Sequence, residues 1–261
     1  MVKFYTSTDS YNYAFPAVSL AYLLRYPNPY STHVLSTDVI DRRFDPRTHT
    51  LHTLRLHLKR SKLPRALLRL LPRSLASAAG GPDAQSYILE RSAIDVRNGC
   101  MWTESRNLEW TGVLSVVERQ EYLGAPLAGG DGGAAQQQGE AGLAPSAGSA
   151  SLCREDIERA RTDVRTTVAL HSRLGQGIFK RKDAAVGMDA EDAQPAKQGF
   201  FKSWSTASLQ RSIELIGLRR TRSSQPNAKE GMKVVLERLR EGGLVAVLEG
   251  MRRDREVGLG G

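Results

Sequence analysis

The sequence predicts an α+β fold: one curved, seven-stranded antiparallel sheet with helices packed on its concave side. Three observations point there. Strand-length segments alternate apolar and polar residues through much of the chain, most cleanly from Thr50 to Lys59. Turn signals such as Asn98-Gly99 join consecutive strands directly, which suits antiparallel neighbours. The C-terminal part instead spaces its apolar residues three and four apart, the period of a helix.

The elements follow in order. Val2 to Thr8 is short and β-prone. Pro16 suits a helix first turn, and Ala17 to Leu24 is apolar on nearly all sides, as in a helix that is covered. Pro27 and Pro29 fix φ and push the residues before them out of the α region, so this helix ends near Arg25. His33 to Arg42 and Thr50 to Lys59 are the next strands. In the second of these, Leu54, Leu56 and Leu58 share one side, and Thr53, Arg55, His57 and Lys59 the other. A solvated face and the wall of a polar cavity fit that parity equally.

Tyr87 to Val96, Cys100 to Leu108, Gly112 to Leu123 and Asp163 to Arg173 complete the sheet. Phe200 to Leu218 reads as a helix. After Pro226, Met232, Val235, Leu236 and Leu239 resume helical spacing, then Leu244, Val247, Leu248 and Met251, with a kink expected at Gly242-Gly243. Two stretches lack bulky apolar residues and cannot offset their ordering entropy. The expected organisation is a single domain over residues 1–256, with a disordered insertion at 124–151, a mobile loop at 181–198 and a flexible tail at 257–261.

A formal charge of +9 and a pI near 9.8 favour anionic partners: lipid headgroups, nucleic acid or an acidic protein. No zinc spacing or RNA-binding string supports nucleic acid, and no apolar run is long enough to span a membrane. Cys100 and Cys153 read as free thiols, and the N-terminus shows no targeting segment, which by itself suggests the cytosol. His49, His52 and His57 lack further ligands for a metal, and Gly175-Gln176-Gly177 is a fragment of a dinucleotide fingerprint. No pair of groups reads as acid and base, so the chain is expected to be non-enzymatic and without cofactor. Two segments stay open on residues alone. Arg25 suits a helix C-terminus or a ligand, and the leucine-rich, proline-bracketed run Lys62 to Pro72 suits core packing or an interfacial segment that meets lipid phosphates.

The run Arg25-Tyr26-Pro27-Asn28-Pro29-Tyr30-Ser31-Thr32-His33-Val34-Leu35-Ser36 resembles the signature of the PRELI family of mitochondrial intermembrane-space phospholipid carriers, which includes the yeast Ups proteins. Ser7-Thr8, Arg55, Lys62-Leu63-Pro64, Glu90 with Ser92, Arg106-Asn107-Leu108, Gly112, Trp204-Ser205 and Gly231-Met232 extend the likeness, which is nearest to the phosphatidic-acid-carrying member. The resemblance implies a START-like cup that holds one phospholipid and carries phosphatidic acid from the outer to the inner mitochondrial membrane, feeding cardiolipin synthesis. It implies residence in the intermembrane space peripheral to anionic membranes, and a small twin-cysteine-motif partner.

On the same ground Arg25, His33, Arg55 and Lys59 would meet the headgroup, with Ser212 where relatives carry Asn and Lys229 as a looser candidate. Lys62, Leu63, Pro64, Leu67, Leu68, Leu70 and Leu71 would form a lid that touches the membrane. Phosphatidylserine transfer, and a scaffold that binds anionic membranes without extracting lipid, are the alternatives. A nucleic-acid binder ranks below both.

Overall fold

In the computed structural model, which describes residues 2–60, 85–124, 161–173 and 206–259, seven strands pair antiparallel. In chain order these are β1 (Val2–Tyr11), β2 (Val34–Asp45), β3 (Thr50–Arg60), β4 (Gln85–Asp95), β5 (Cys100–Asn107), β6 (Ser115–Gly124) and β7 (Thr162–His171). Their order across the sheet is β1-β7-β6-β5-β4-β3-β2. From β2 to β7 each strand pairs with its successor, and β1 then joins the far side of β7. The sheet stays open, with β1 and β2 as its edges. The proposed lid, most of the insertion at 124–151 and the loop at 181–198 lie outside the described residues.

Local chemistry sets the turns. Asp95 pairs with Cys100 across the β4–β5 hairpin, and its Oδ1 accepts from the backbone N–H groups of Arg97 (3.0 Å) and Asn98 (2.9 Å). Gly99 closes that turn at φ +63°, a conformation that disfavours a side chain. The expected Asn98-Gly99 turn is therefore present.

Helix α1 (Phe15–Leu23) has Pro16 in its first turn and buries Phe15, Val18, Ala21 and Tyr22. These meet Ile94, Met101, Tyr122 and Val164 from the sheet's inner face, and Met232, Val235, Leu236 and Val247 from helix α2 (Thr206–Leu259). Each such side chain contributes about 1.5–3 kcal/mol by leaving water.

Helix α2 differs from expectation in two places. It passes through Pro226 without a break, because a proline removes one backbone hydrogen bond without ending the helix where packing holds it. It also continues to Leu259, into the expected tail. The kink at Gly242-Gly243 is present: Gly242 has φ −143° and Gly243 φ +61°. Beyond it the chain turns back, Gly250 lies flush against the Arg238 guanidinium, and Arg238 Nη1 donates to Asp254 Oδ2 at 2.6 Å.

Candidate functional site

The segment after α1 is held by Asn28. Its Nδ2 donates to the Arg25 carbonyl at 2.6 Å, and its Oδ1 accepts from the Tyr30 backbone N–H at 2.9 Å. Asn28 is buried, and a Cβ built on Gly231 of α2 would stand 2.7 Å from Asn28 Oδ1. Helix α2 thus braces the turn that carries Arg25. The Tyr26–Pro27 bond within the turn is cis.

Strand β3 directs its polar side inward. Thr53, Arg55 and His57 are buried and Lys59 half-buried, facing the helices, whereas Leu54, Leu56 and Leu58 lie half-buried on the opposite face. Such a wall is stable only if its buried charges are paired. The partner is Glu90, which lies opposite Arg55 on β4. Arg55 Nε donates to Glu90 Oε1 at 2.9 Å, and Arg55 Nη2 also bonds that oxygen. Arg25 Nη2 bonds the other oxygen, Oε2, and His57 Nε2 lies 3.3 Å from it. Arg55 also caps α1: Nη1 donates to the Leu23 carbonyl at 2.8 Å and Nη2 to that of Tyr22 at 3.4 Å.

The aromatic surroundings complete the cluster. The Arg25 guanidinium lies 3.8 Å from the Tyr22 ring centroid and 4.8 Å from that of Tyr26. Lys59 Nζ is 6.0 Å from the Tyr26 centroid, and Tyr26 meets His57 edge-on at 5.4 Å. Burial alone would raise the Glu90 pKa, but Arg25, the His57 imidazole beside it and Arg55 outweigh it and hold the carboxyl well below the usual range. Burial likewise opposes the charge on Arg25, and Glu90 with the surrounding tyrosines more than restores it. His57 is pushed down by burial against the pull of Glu90 and stays neutral near pH 7, with Nδ1 2.9 Å from Thr37 Oγ1. Arg25 Nη1 is buried and makes no hydrogen bond among the described residues.

The residues expected at a headgroup site therefore divide. Arg25, Arg55 and Lys59 share this wall, with Arg55 fully engaged by Glu90 and α1. His33 is exposed and immediately precedes β2. Desolvation, then the charges of Lys59 and Arg220, push its imidazole down to about 4. Ser212 is half-buried on α2, its hydroxyl donating to the Ser208 carbonyl at 2.9 Å. It stands about 20 Å along the helix from Gln225, an α2 residue beside Glu118 of β6. Lys229 pairs with Asp9 at 2.6 Å. Lys62, Leu63, Pro64, Leu67, Leu68, Leu70 and Leu71 lie outside the described residues.

Sequence reasoning assigned no role to Glu90, His57, Tyr22 or Tyr26. Parity alone gives no signal for Glu90, because the side it shares with Ser86, Ile88, Ser92 and Ile94 is no more apolar than that of Tyr87, Leu89, Arg91 and Ala93. A cavity of about 330 Å³, itself lined by Tyr26 and Arg55, opens between β2 and the C-terminal segment of α2, where Met251 and Arg255 line it.

Residues 16–138 match the PRELI-like family model. The chain is similar to Protein ups1 homolog of Schizosaccharomyces pombe, 37% identical over 123 residues, covering 47% of this chain and 66% of that protein. It is also similar to Protein UPS1, mitochondrial, of Saccharomyces cerevisiae, 38% identical over 122 residues and covering 47% and 64%. PRELI domain-containing protein 1, mitochondrial, of Homo sapiens is 34% identical over 122 residues, covering 47% and 52%. The matched region spans from about half to just under two thirds of these relatives' own length. A solved structure from Thermus thermophilus overlaps 90% of this chain and 97% of its own, at 10% identity and a TM-score of 0.36. An overlap that low carries no argument.

Proposed function

This chain belongs, through residues 16–138, to the PRELI-like family, and from that premise we propose that it is a non-enzymatic phospholipid carrier of mitochondria. Its cargo on this reading is phosphatidic acid, moved from the outer to the inner membrane to supply cardiolipin synthesis. It would work in the intermembrane space, peripheral to anionic membranes and with a small twin-cysteine-motif partner. Two relatives bear mitochondrial names, which supports a mitochondrial location.

The observation that carries the reading is the inward polar side of β3, where Arg55, joined by Arg25 from the turn after α1, bonds the buried carboxylate of Glu90, and Lys59 stands half-buried on the same strand side. Arg25 has a buried Nη1 there that makes no hydrogen bond among the described residues. A guanidinium suits a phosphate oxygen, and a phosphomonoester carries about −1.5 to −2 near neutral pH, by analogy with phosphorylated side chains. Enclosure of the tails supplies the rest. Each methylene exposed to water costs about 0.8 kcal/mol, so about thirty of them would cost roughly 25 kcal/mol without a shielding protein.

Transfer between vesicles tests this. Wild-type protein with its partner is expected to move phosphatidic acid from donor to acceptor vesicles, and Arg25→Gln to lose most of that transfer while keeping its circular-dichroism spectrum. Equal transfer by the folded variant would refute the headgroup role of Arg25. Preference for phosphatidylserine in the same assay would replace the cargo. A purified complex with no stoichiometric phospholipid by native mass spectrometry would favour a scaffold.

A further inference from the structure

Glu118 is a half-buried carboxylate outside the Glu90 ion cluster. It lies on β6 opposite Ser105 of β5 and Val168 of β7. Gln120 Nε2 donates to its Oε1 at 3.0 Å, and Ser105 lies opposite both Glu118 and Glu90, which places the two carboxylates two strands apart in one row of the sheet. Gln120 Oε1 in turn accepts from the Tyr122 hydroxyl at 2.8 Å, so the side chain sits in an ordered polar chain. Among the described residues the charged groups that act on it are Lys59 from β3, Arg25 from the turn after α1 and Glu90 from β4; its ladder neighbours Ser105 and Val168 carry none.

The two carboxylates differ in commitment. Glu90 is occupied by Arg25, Arg55 and His57. Glu118 is held by the neutral Gln120 amide and feels Lys59, the same cation that an incoming phosphate would use. Resting on the carrier reading, we propose that Glu118 is a proton-linked residue of the headgroup pocket, giving up its charge by taking one proton from solvent when a phosphate settles beside Lys59 and Arg25. No other bond forms or breaks. Two ionised anions sharing Lys59 repel each other in a desolvated site, and protonation removes one charge. The resulting acid can also donate its O–H to a phosphate oxygen, which a carboxylate cannot.

Burial already raises the proton affinity of Glu118 above that of an ordinary carboxylate, so a bound anion pushes it further in the same direction. Loading and protonation then favour each other reciprocally, and anionic cargo binds more tightly as pH falls.

The test compares phosphatidic acid transfer by wild type and Glu118→Gln, each with its partner, at neutral and mildly acidic pH. Wild type is expected to gain about five-fold or more on acidification, the lower end of ordinary couplings. The variant, fixed neutral, should hold the acid-side level at both. The phosphate's own ionisation and those of His33 and His57 are common to both proteins and cancel in the comparison. Parallel pH profiles would overturn the role of Glu118 and leave the carrier reading standing, whereas no transfer by either protein would overturn the carrier reading itself. Infrared spectra of wild type need no variant to fold. A protonated-carboxyl band that appears on loading supports the proposal, and its absence overturns it.

Discussion

Glu90 and Arg25 form an ion pair in which the carboxylate side chain is 1% exposed and the guanidinium 14%. The same carboxylate holds Arg55, 2% exposed, so one anion on β4 organises two cations reached from different elements. Removing a partner from a buried pair leaves the other charge uncompensated, at a cost of about 3–5 kcal/mol. Glu90→Ala is accordingly expected to lower the unfolding free energy by about that amount. Glu90→Gln, which keeps an acceptor but no charge, should lose less. Urea titrations of the three proteins measure this, and an alanine variant within about 1 kcal/mol of wild type, the scale of an exposed pair, would show that water already reaches the cluster.

Arg55 joins the sheet to α1 through the Leu23 and Tyr22 carbonyls while also holding Glu90. Lysine offers a point charge without the planar fork, so Arg55→Lys cannot serve both partners. Each hydrogen bond to a charged group contributes roughly 1.5–3 kcal/mol, and the helix end should loosen when its share is lost. The measurement is amide exchange. Faster exchange confined to α1 and the following turn is expected, and an unchanged pattern would place the cap elsewhere.

Stability should fall in two stages as pH is lowered. His57 is held neutral in the fold, while the unfolded side chain titrates near its ordinary value of about 6.5, so below that pH the unfolded chain binds more protons and gains. His33, pushed down to about 4, adds to the same stage. Glu90, held low by its cations, contributes fully above the ordinary carboxylate range near 4.3 and loses that contribution as pH falls below it. Glu118, raised by burial, runs the other way and weakens the fold as pH climbs through its folded value. A His33→Gln, His57→Gln double variant should flatten the first stage and keep the second. Urea midpoints across the acid range decide, and an undiminished first stage would assign it to other groups.

The sheet was legible because alternation and turn chemistry are local. Asn98-Gly99 specifies its hairpin without help from the rest of the chain, and Gly242-Gly243 its kink. The site was legible only in its cations. Parity separates Thr53, Arg55, His57 and Lys59 from the leucines of β3, yet which side faces inward depends on Glu90, thirty-five residues away in sequence. A lone glutamate in a strand is an ordinary surface residue until its cross-strand partner is known. The continuity of α2 through Pro226 is tertiary in the same sense, since packing by Met232, Val235 and Leu236 just beyond it outweighs the local signal.

Gly231 tests whether the brace behind Arg25 matters. In an open helix, Gly→Ala stabilises by about 1 kcal/mol through propensity. Here the new Cβ would stand 2.7 Å from Asn28 Oδ1 and 2.9 Å from Nδ2, and both atoms are bonded to the turn. Asn28 cannot swing away without releasing the Arg25 carbonyl and the Tyr30 N–H, so the backbone of the turn or of α2 must move. Overpacking of this kind costs about 1–3 kcal/mol, enough to cancel or exceed the propensity gain. Gly231→Ala should therefore leave stability unchanged or lower while reducing phosphatidic acid transfer, because Arg25 moves with its turn. Added Asn28→Ala separates the causes. If contact between the two side chains is responsible, a thermodynamic cycle on urea stabilities will show the pair to be non-additive. Additive effects would mean that helix and turn are not coupled at this point, and the brace would lose its basis.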